Sequence, residues 1–374
     1  MKPFSLLIKP AGPDCNMSCK YCFYSGKKSL FGPGKHRMSE EILQRLIEDY
    51  VKLGLEVSSF AWQGGEPTLM GLDFYRKVVE LQQEYGRDGQ VVSNALQTNG
   101  ILLDSNWCEF LAKYSFLVGI SLDGPKGFHD HYRLDKTDAG TFERVMRGIE
   151  NCRTAGVEFN ILVLLNDRNI EHPDELFDFF VEHNFKYLQF IPCVEKDFST
   201  GGPADFSIEP SQYGNFLCRL FDLWRKYGPE KLSIRLFDSI LSMYLHGRQT
   251  VCTFGRKCDD YLVVEHNGDV FCCDFFVCNR WRLGNIERQS IKVLAACDTK
   301  REFALNKRRY DNKCFLCRHN TFCQGGCLKD RMVFGGDFTR HSYLCGAYQQ
   351  FFDYSLAGFS QIAAKLAIQA RPSR

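Results

Sequence analysis

The chain has 374 residues, 44% hydrophobic and 25% charged, with a net charge of +2. That length suits one large domain and a smaller one, and the composition excludes disordered and fibrous classes. No Lys/Arg run is interleaved with aromatic residues and no apolar stretch reaches signal-peptide or membrane-spanning length, so neither nucleic acid nor a membrane is an expected partner, and the expected compartment is the cytoplasm.

Apolar stretches at residues 4–8, 58–62, 91–97, 116–121, 159–165 and 187–191 read as strands. Between them, amphipathic stretches at about 39–53, 72–85, 105–113, 141–155 and 173–183 read as helices. Ser39 stands where a helix cap belongs, and Gly54, Gly86 and Gly156 stand where helices should stop. Six βα units imply an α/β class with a parallel sheet, curled by right-handed crossovers into a complete or partial barrel with ligands at the carboxyl ends of its strands.

The loop after the first strand reads Asp14-Cys-Asn-Met-Ser-Cys-Lys-Tyr-Cys-Phe-Tyr24. Cys15, Cys19 and Cys22 are one thiolate short of a closed zinc site, whereas an iron-sulfur cubane held by three cysteines keeps one iron open to a small molecule. The second strand runs into Gln63-Gly-Gly-Glu-Pro67, whose paired glycines let backbone approach a ligand or simply make a tight turn. Three more strands end in the polar or turn residues of Leu96-Gln-Thr-Asn-Gly100, Ser121-Leu-Asp-Gly-Pro125 and Gln189-Phe-Ile-Pro-Cys193, and Arg133 follows the second of these.

After Gly201-Gly-Pro203 the pattern changes. Helical stretches at 210–227 and 235–246 lead to a cysteine-rich tail, in which 261–265 and 269–273 flank the hairpin signal His266-Asn267-Gly268. Past Cys345, Phe351, Phe352, Tyr354, Leu356, Phe359, Ile362 and Leu366 read as a closing helix, with the last few residues expected to fray. The expected organisation is 1–200 for the barrel, 201–250 for a helical bridge and 251–374 for the tail domain.

Eighteen cysteines are many for a reducing compartment, which favours metal or cluster ligation over disulfides. In the tail, Cys252, Cys258 and Cys273 form one group and Cys314, Cys317, Cys323, Cys327 and Cys345 another. On spacing alone these eight serve two structural zincs as well as two iron-sulfur clusters, and do not show which cysteines share a site. Cys108, Cys152, Cys193, Cys218, Cys272, Cys278 and Cys297 read as buried small hydrophobes. Asp274, directly after Cys273, is either a turn cap or a general base.

The cysteine triplet with an aromatic before its third member, joined to Gly64-Gly-Glu-Pro67, resembles the radical S-adenosylmethionine (SAM) superfamily, and the tail resembles the SPASM domain. With Leu6-Leu-Ile-Lys-Pro10, Phe116-Leu-Val-Gly-Ile-Ser-Leu-Asp-Gly-Pro125 and the run from Cys273 to Ile286, the chain is similar to the anaerobic sulfatase-maturating enzymes from residue 5 to about 355.

That resemblance implies a partial (β/α)6 radical SAM barrel followed by a cysteine-rich SPASM domain with a β-hairpin and helices. It implies SAM and three 4Fe-4S clusters as cofactors: one on Cys15, Cys19 and Cys22, one on Cys252, Cys258, Cys273 and Cys327, and one on Cys314, Cys317, Cys323 and Cys345. SAM contacts would come from Tyr21, Gly65, Ser121, Arg133 and Val194. Asp274 would be the catalytic base, and Tyr24, Gln63 and Gln97 would lie near the substrate. The implied reaction is oxidation of a sulfatase Cys or Ser to Cα-formylglycine, begun by a deoxyadenosyl radical, on an unfolded or nascent polypeptide, with ferredoxin or flavodoxin as electron donor. Two departures stand out: Cys272 where a proline is familiar, and Val194 in place of a leucine. A related peptide maturase that forms crosslinks is the alternative; such enzymes often carry a peptide-recognition domain ahead of the barrel, for which a first strand at Phe4 leaves no room.

Overall fold

The structure, a computed structural model, describes residues 3–369; the chain end expected to fray lies outside them. Its strands are β1 (Ser5–Lys9), β2 (Val57–Trp62), β3 (Val91–Thr98), β4 (Leu117–Ser121), β5 (Phe159–Leu165), β6 (Tyr187–Pro192), β7 (Ser233–Ile234), β8 (Tyr261–Glu265), β9 (Asp269–Phe271) and β10 (Arg282–Asn285). The six strands read from the sequence are present, as are the five helices between them, and the α/β class holds. Helix ends follow local chemistry: Ser39 accepts from the Ile42 amide at the start of Glu40–Val51, and Gly156 takes the left-handed conformation that closes Phe142–Ala155.

The chain forms two compact units. The first comprises the stretch up to Leu122, His129–Asn160 and Cys258–Ala304. Its strands are ordered β10-β9-β8-β1-β2-β3-β4. β1 pairs in parallel with β2, Ile8 opposite Trp62, and with β8, Ser5 opposite Tyr261 through Lys9 opposite Glu265. The hairpin strand from the cysteine-rich tail therefore extends the N-terminal sheet, which explains why Cys258–Ala304 packs with residues that precede it by some 250 positions. Val263, Phe271 and Val277 make a small core there, with Leu7 against it. Because these strands are parallel, Lys9, Gln63, Thr98, Ser121 and Glu265 all emerge at one edge, the carboxyl ends of β1, β2, β3, β4 and β8.

The second unit comprises Asp123–Phe128, Ile161–Lys257 and the chain from Leu305. Here β5, β6 and β7 are parallel, with Ile161 opposite Leu188 and Leu188 opposite Ile234. Helices Pro210–Tyr227, Arg235–His246 and Cys345–Gln369 share an aromatic core of Phe221, Trp224, Phe237, Phe351 and Phe359, whose ring centroids stand 4.7–6.5 Å apart.

Candidate active site

The cysteine loop leaves β1 through a turn closed by Gly12 N–H to Lys9 O at 3.0 Å and Asp14 N–H to Ala11 O at 3.1 Å. Burial pushes the Asp14 carboxyl up, but hydrogen bonds from His36 and Arg37 outweigh it and hold the group at about 2. The loop is clipped on its other side by Ser18 N–H to Leu134 O and Lys20 N–H to Tyr132 O, at 2.8 and 3.3 Å. Those bonds bring Arg133 to the loop, its guanidinium carbon 5.5 Å from the Tyr21 ring centroid. A helix not expected from the sequence, Lys126–Tyr132, delivers that segment.

The loop after β2 lies directly on this turn. Gly65 N–H donates to Gly12 O and Glu66 N–H to Asp14 O, each at 2.8 Å. A Cβ on Gly65 would stand 2.0 Å from Asp14 O, so only glycine fits the approach. The Glu66 side chain, fully buried, is taken up by the protein itself: it accepts from Thr68 N–H (3.1 Å), Thr68 Oγ1 (2.6 Å), Thr98 Oγ1 (2.7 Å) and Asn99 N–H (2.8 Å). Burial raises its carboxyl above the usual range and these four donors oppose the rise. Asn99 Nδ2 then reaches Asn16 Oδ1 at 2.7 Å and Cys15 Sγ at 3.8 Å, so Glu66 joins the end of β3 to the cysteine loop. Glu66→Gln places an amide NH2 among these donors, two of them backbone N–H groups. The expected result is a loss of about 2–4 kcal/mol in stability, read by denaturant unfolding; an unchanged midpoint would remove the tie.

Cys15 Sγ also accepts from Met17 N–H at 3.3 Å. Burial, then the Glu66 charge, pushes its thiol up to about 11. N–H donors aimed at a cysteine sulfur suit an iron-sulfur ligand, whose potential such bonds tune. Among the described residues no three His, Cys, Asp or Glu groups are arranged to hold one metal ion; a cubane instead seats each thiolate on its own iron.

The second cluster of polar groups lies at the ends of β1, β2 and β8. Lys9 Nζ is ion-paired with Asp274 Oδ1, and Gln63 Nε2 donates to Asp274 Oδ2 at 3.1 Å. The same ammonium stands 3.4 Å from the centroid of the Tyr24 ring. Tyr24 OH donates to both Glu265 oxygens, at 2.6 and 2.7 Å. Burial raises Glu265 to about 7, with Lys9 and the Tyr24 hydroxyl opposing. Lys9 is 1% exposed, while the Asp274 side chain is 13% exposed and so accessible to a substrate. Three residues singled out in the sequence, Tyr24, Gln63 and Asp274, thus meet. Lys9 and Glu265 complete the group, and no local pattern marks them as site residues: their link is the Lys9–Glu265 register of two strands far apart in sequence. Gln97 lies one strand over and donates to Ser121 Oγ at 3.4 Å. Val194 belongs to the second unit, where it is buried and its carbonyl accepts from Lys329 Nζ at 2.5 Å.

In the tail, Tyr261 OH and Cys273 Sγ are 3.2 Å apart, whereas Cys272 Sγ faces Thr299 O at 4.0 Å. Within the second unit Cys314, Cys317, Cys323 and Cys345 line a single cavity of about 340 Å³. Burial pushes the Cys323 thiol up to about 12, with Lys307 opposing. A cradle walled by four cysteines fits a four-thiolate cluster, and it gathers the set that the resemblance assigns to one auxiliary site.

Residues 10–180 match the Radical SAM superfamily, and residues 252–318 match the SPASM iron-sulfur cluster-binding domain. The serine-type anaerobic sulfatase-maturating enzyme of Bacteroides thetaiotaomicron is 37% identical, covering 100% of this chain and 94% of its own. The cysteine-type enzyme of Clostridium perfringens is also 37% identical, covering 97% of this chain and 99% of its own. The solved structure of native anSMEcpe with bound AdoMet matches 97% of this chain and 100% of that one, with a TM-score of 0.90 at 36% identity. Fold and cysteine pattern together define a radical SAM oxidoreductase with a SPASM domain, whose cofactors are SAM and 4Fe-4S clusters. Within that class the chain belongs to the anaerobic sulfatase-maturating enzymes.

Proposed function

We propose that this enzyme oxidises the active-site Cys or Ser of a sulfatase polypeptide to Cα-formylglycine, with Asp274 as the proton acceptor. The observation that carries the assignment of Asp274 is its setting: a partly exposed carboxylate paired with buried Lys9 and accepting from Gln63, at the strand edge from which the cysteine loop departs.

Cys15, Cys19 and Cys22 would hold the SAM-binding cluster; Cys252, Cys258, Cys273 and Cys327 one auxiliary cluster; and Cys314, Cys317, Cys323 and Cys345 the other. Tyr21, Gly65, Ser121, Arg133 and Val194 would contact SAM. When bound, these groups supply a carbon radical that removes one hydrogen atom from the substrate β-carbon, and a sink for the second electron. The chain's own part is to position the β-carbon and to take the proton. Gln63, which donates to Asp274, would orient the substrate side chain, and Lys9, packed against the Tyr24 ring, holds the carboxylate in place. A Ser side chain that loses a hydrogen atom, a proton and an electron is already the aldehyde; a Cys side chain yields a thioaldehyde, which water converts to the aldehyde with release of sulfide. A low-potential protein such as ferredoxin or flavodoxin would deliver the starting electron, in the cytoplasm. Among the described residues no helix is long and apolar enough to cross a membrane.

Serine-type and cysteine-type relatives stand at the same identity, so substrate preference is read directly. Reconstituted enzyme, SAM and reductant are incubated anaerobically with sulfatase peptides differing only in Cys or Ser at the target position, and products are followed by mass spectrometry. The expected product is an aldehyde from at least one peptide, with sulfide released in the Cys case. SAM consumption with neither peptide altered would reject the assignment.

A further inference from the structure

Lys300 is a buried cation for which the reaction above has no use. It lies on the helix Asp298–Asn306, is 5% exposed, and its ammonium donates to three main-chain carbonyls: Tyr261 O at 2.8 Å, Cys272 O at 3.2 Å and Cys258 O at 3.3 Å. Carbonyl dipoles solvate an ammonium but do not neutralise it, and burying a charge costs several kcal/mol unless a counter-charge stands nearby.

The three carbonyls are informative as a set. One belongs to Cys258 itself, and one to Cys272, whose peptide bond leads into Cys273. The third belongs to Tyr261, whose hydroxyl lies 3.2 Å from Cys273 Sγ. A single ammonium therefore ties together the segments carrying two cysteines fifteen positions apart, at the open end of the β8–β9 hairpin, beyond its last paired residues Val263 and Phe271. Cluster ligands need that kind of support, because partners behind the ligand shell fix its orientation and tune its potential. A four-thiolate cubane is an anion that becomes more negative on reduction, so a fixed cation beside it favours the reduced form.

We propose that Lys300 is a positioning residue for the auxiliary cluster ligated by Cys258 and Cys273: its ammonium holds the two ligand segments together, and its charge raises that cluster's reduction potential. The proposal rests on the assignment of those two cysteines as ligands. It gives the buried ammonium its counter-charge and explains why its hydrogen bonds end on ligand backbone.

The test uses the full chain, reconstituted, in a background with Cys15, Cys19 and Cys22 replaced by Ala so that only auxiliary clusters report. Lys300→Met removes the charge at similar volume, and Lys300→Gln removes it while keeping an N–H donor. Iron content and EPR-monitored redox titrations are compared with the Lys300 parent. The expected result is one auxiliary cluster titrating at a more negative potential in whichever variant retains iron, the other cluster being unmoved. Retained iron with both potentials unchanged overturns the proposal. If both variants shed iron, Lys300→Arg, which restores the charge and its donors, decides: recovery of iron supports the proposal and continued loss overturns it. The ligand assignment fails separately, by Cys258→Ala keeping the parent's full iron content in a chain whose Lys300 is intact.

Discussion

Asp274→Asn is expected to cut formylglycine formation by about 10²- to 10⁴-fold, the range lost when a positioned general base is removed. Asparagine keeps the shape, and the Gln63 contact once the Gln63 amide turns to accept from the new NH2, but it cannot accept the substrate's proton. The fall belongs in kcat rather than KM, because proton removal gains strength only as the reaction proceeds. In the proposed reaction the radical forms before Asp274 would take the proton, so deoxyadenosine should still be released while aldehyde production stops; chromatography of both products from one incubation separates the two. The substitution also leaves Lys9, 1% exposed, without its carboxylate, and breaking a buried pair from one side costs about 3–5 kcal/mol when the remaining charge has no other support. Here the Tyr24 ring, 3.4 Å from the ammonium, supplies part of that support, so the variant should fold with a lowered Tm. Aldehyde formation at the parent rate would remove Asp274 from the chemistry.

The route from sequence to this site was legible wherever information is local. Alternating apolar residues, the capping Ser39 and the stop at Gly156 mark βα units whose ends fall within about two residues of those observed. The cysteine triplet and Gly64-Gly-Glu-Pro67 are likewise short stretches read in one glance. Lys9 was not legible in the same way. Its role comes from β1 pairing with β8 some 250 residues later, a long-range register that no window of sequence contains. Nor could the motif around Glu66 show that its carboxylate is consumed by Thr68, Thr98 and Asn99 rather than offered outward. The helix Lys126–Tyr132 carries little helical periodicity in Lys-Gly-Phe-His-Asp-His-Tyr, yet it sets Arg133 beside Tyr21. In the tail the helices before the closing one run only four to nine residues, too short for a 3.6-residue pattern to declare itself.

Gly65→Ala is expected to lower kcat/KM by about 10²-fold or more while costing only about 1–3 kcal/mol of stability. The added Cβ would sit 2.0 Å from Asp14 O and 2.5 Å from Asp14 C, both backbone atoms immediately before Cys15. A flexible side chain could swing aside; a carbonyl cannot. The clash lies between two hydrogen bonds of 2.8 Å, Gly65 to Gly12 and Glu66 to Asp14, which are what hold the loop after β2 against the cysteine loop. Relief requires the two loops to separate by about an ångström, and one of them would carry the cluster while the other would contact SAM, so the geometry for radical formation is lost before the fold is. Gly26→Ala is the matched control, because nothing lies within 4 Å of its added carbon. Equilibrium binding of SAM and iron content, measured for both variants beside turnover, locate the damage: weakened SAM binding with iron retained in Gly65→Ala alone is the expected pattern. Parent-like SAM affinity and turnover in that variant would mean that the Asp14 carbonyl can turn away freely, and that contact between the two loops does not set the spacing of cluster and SAM.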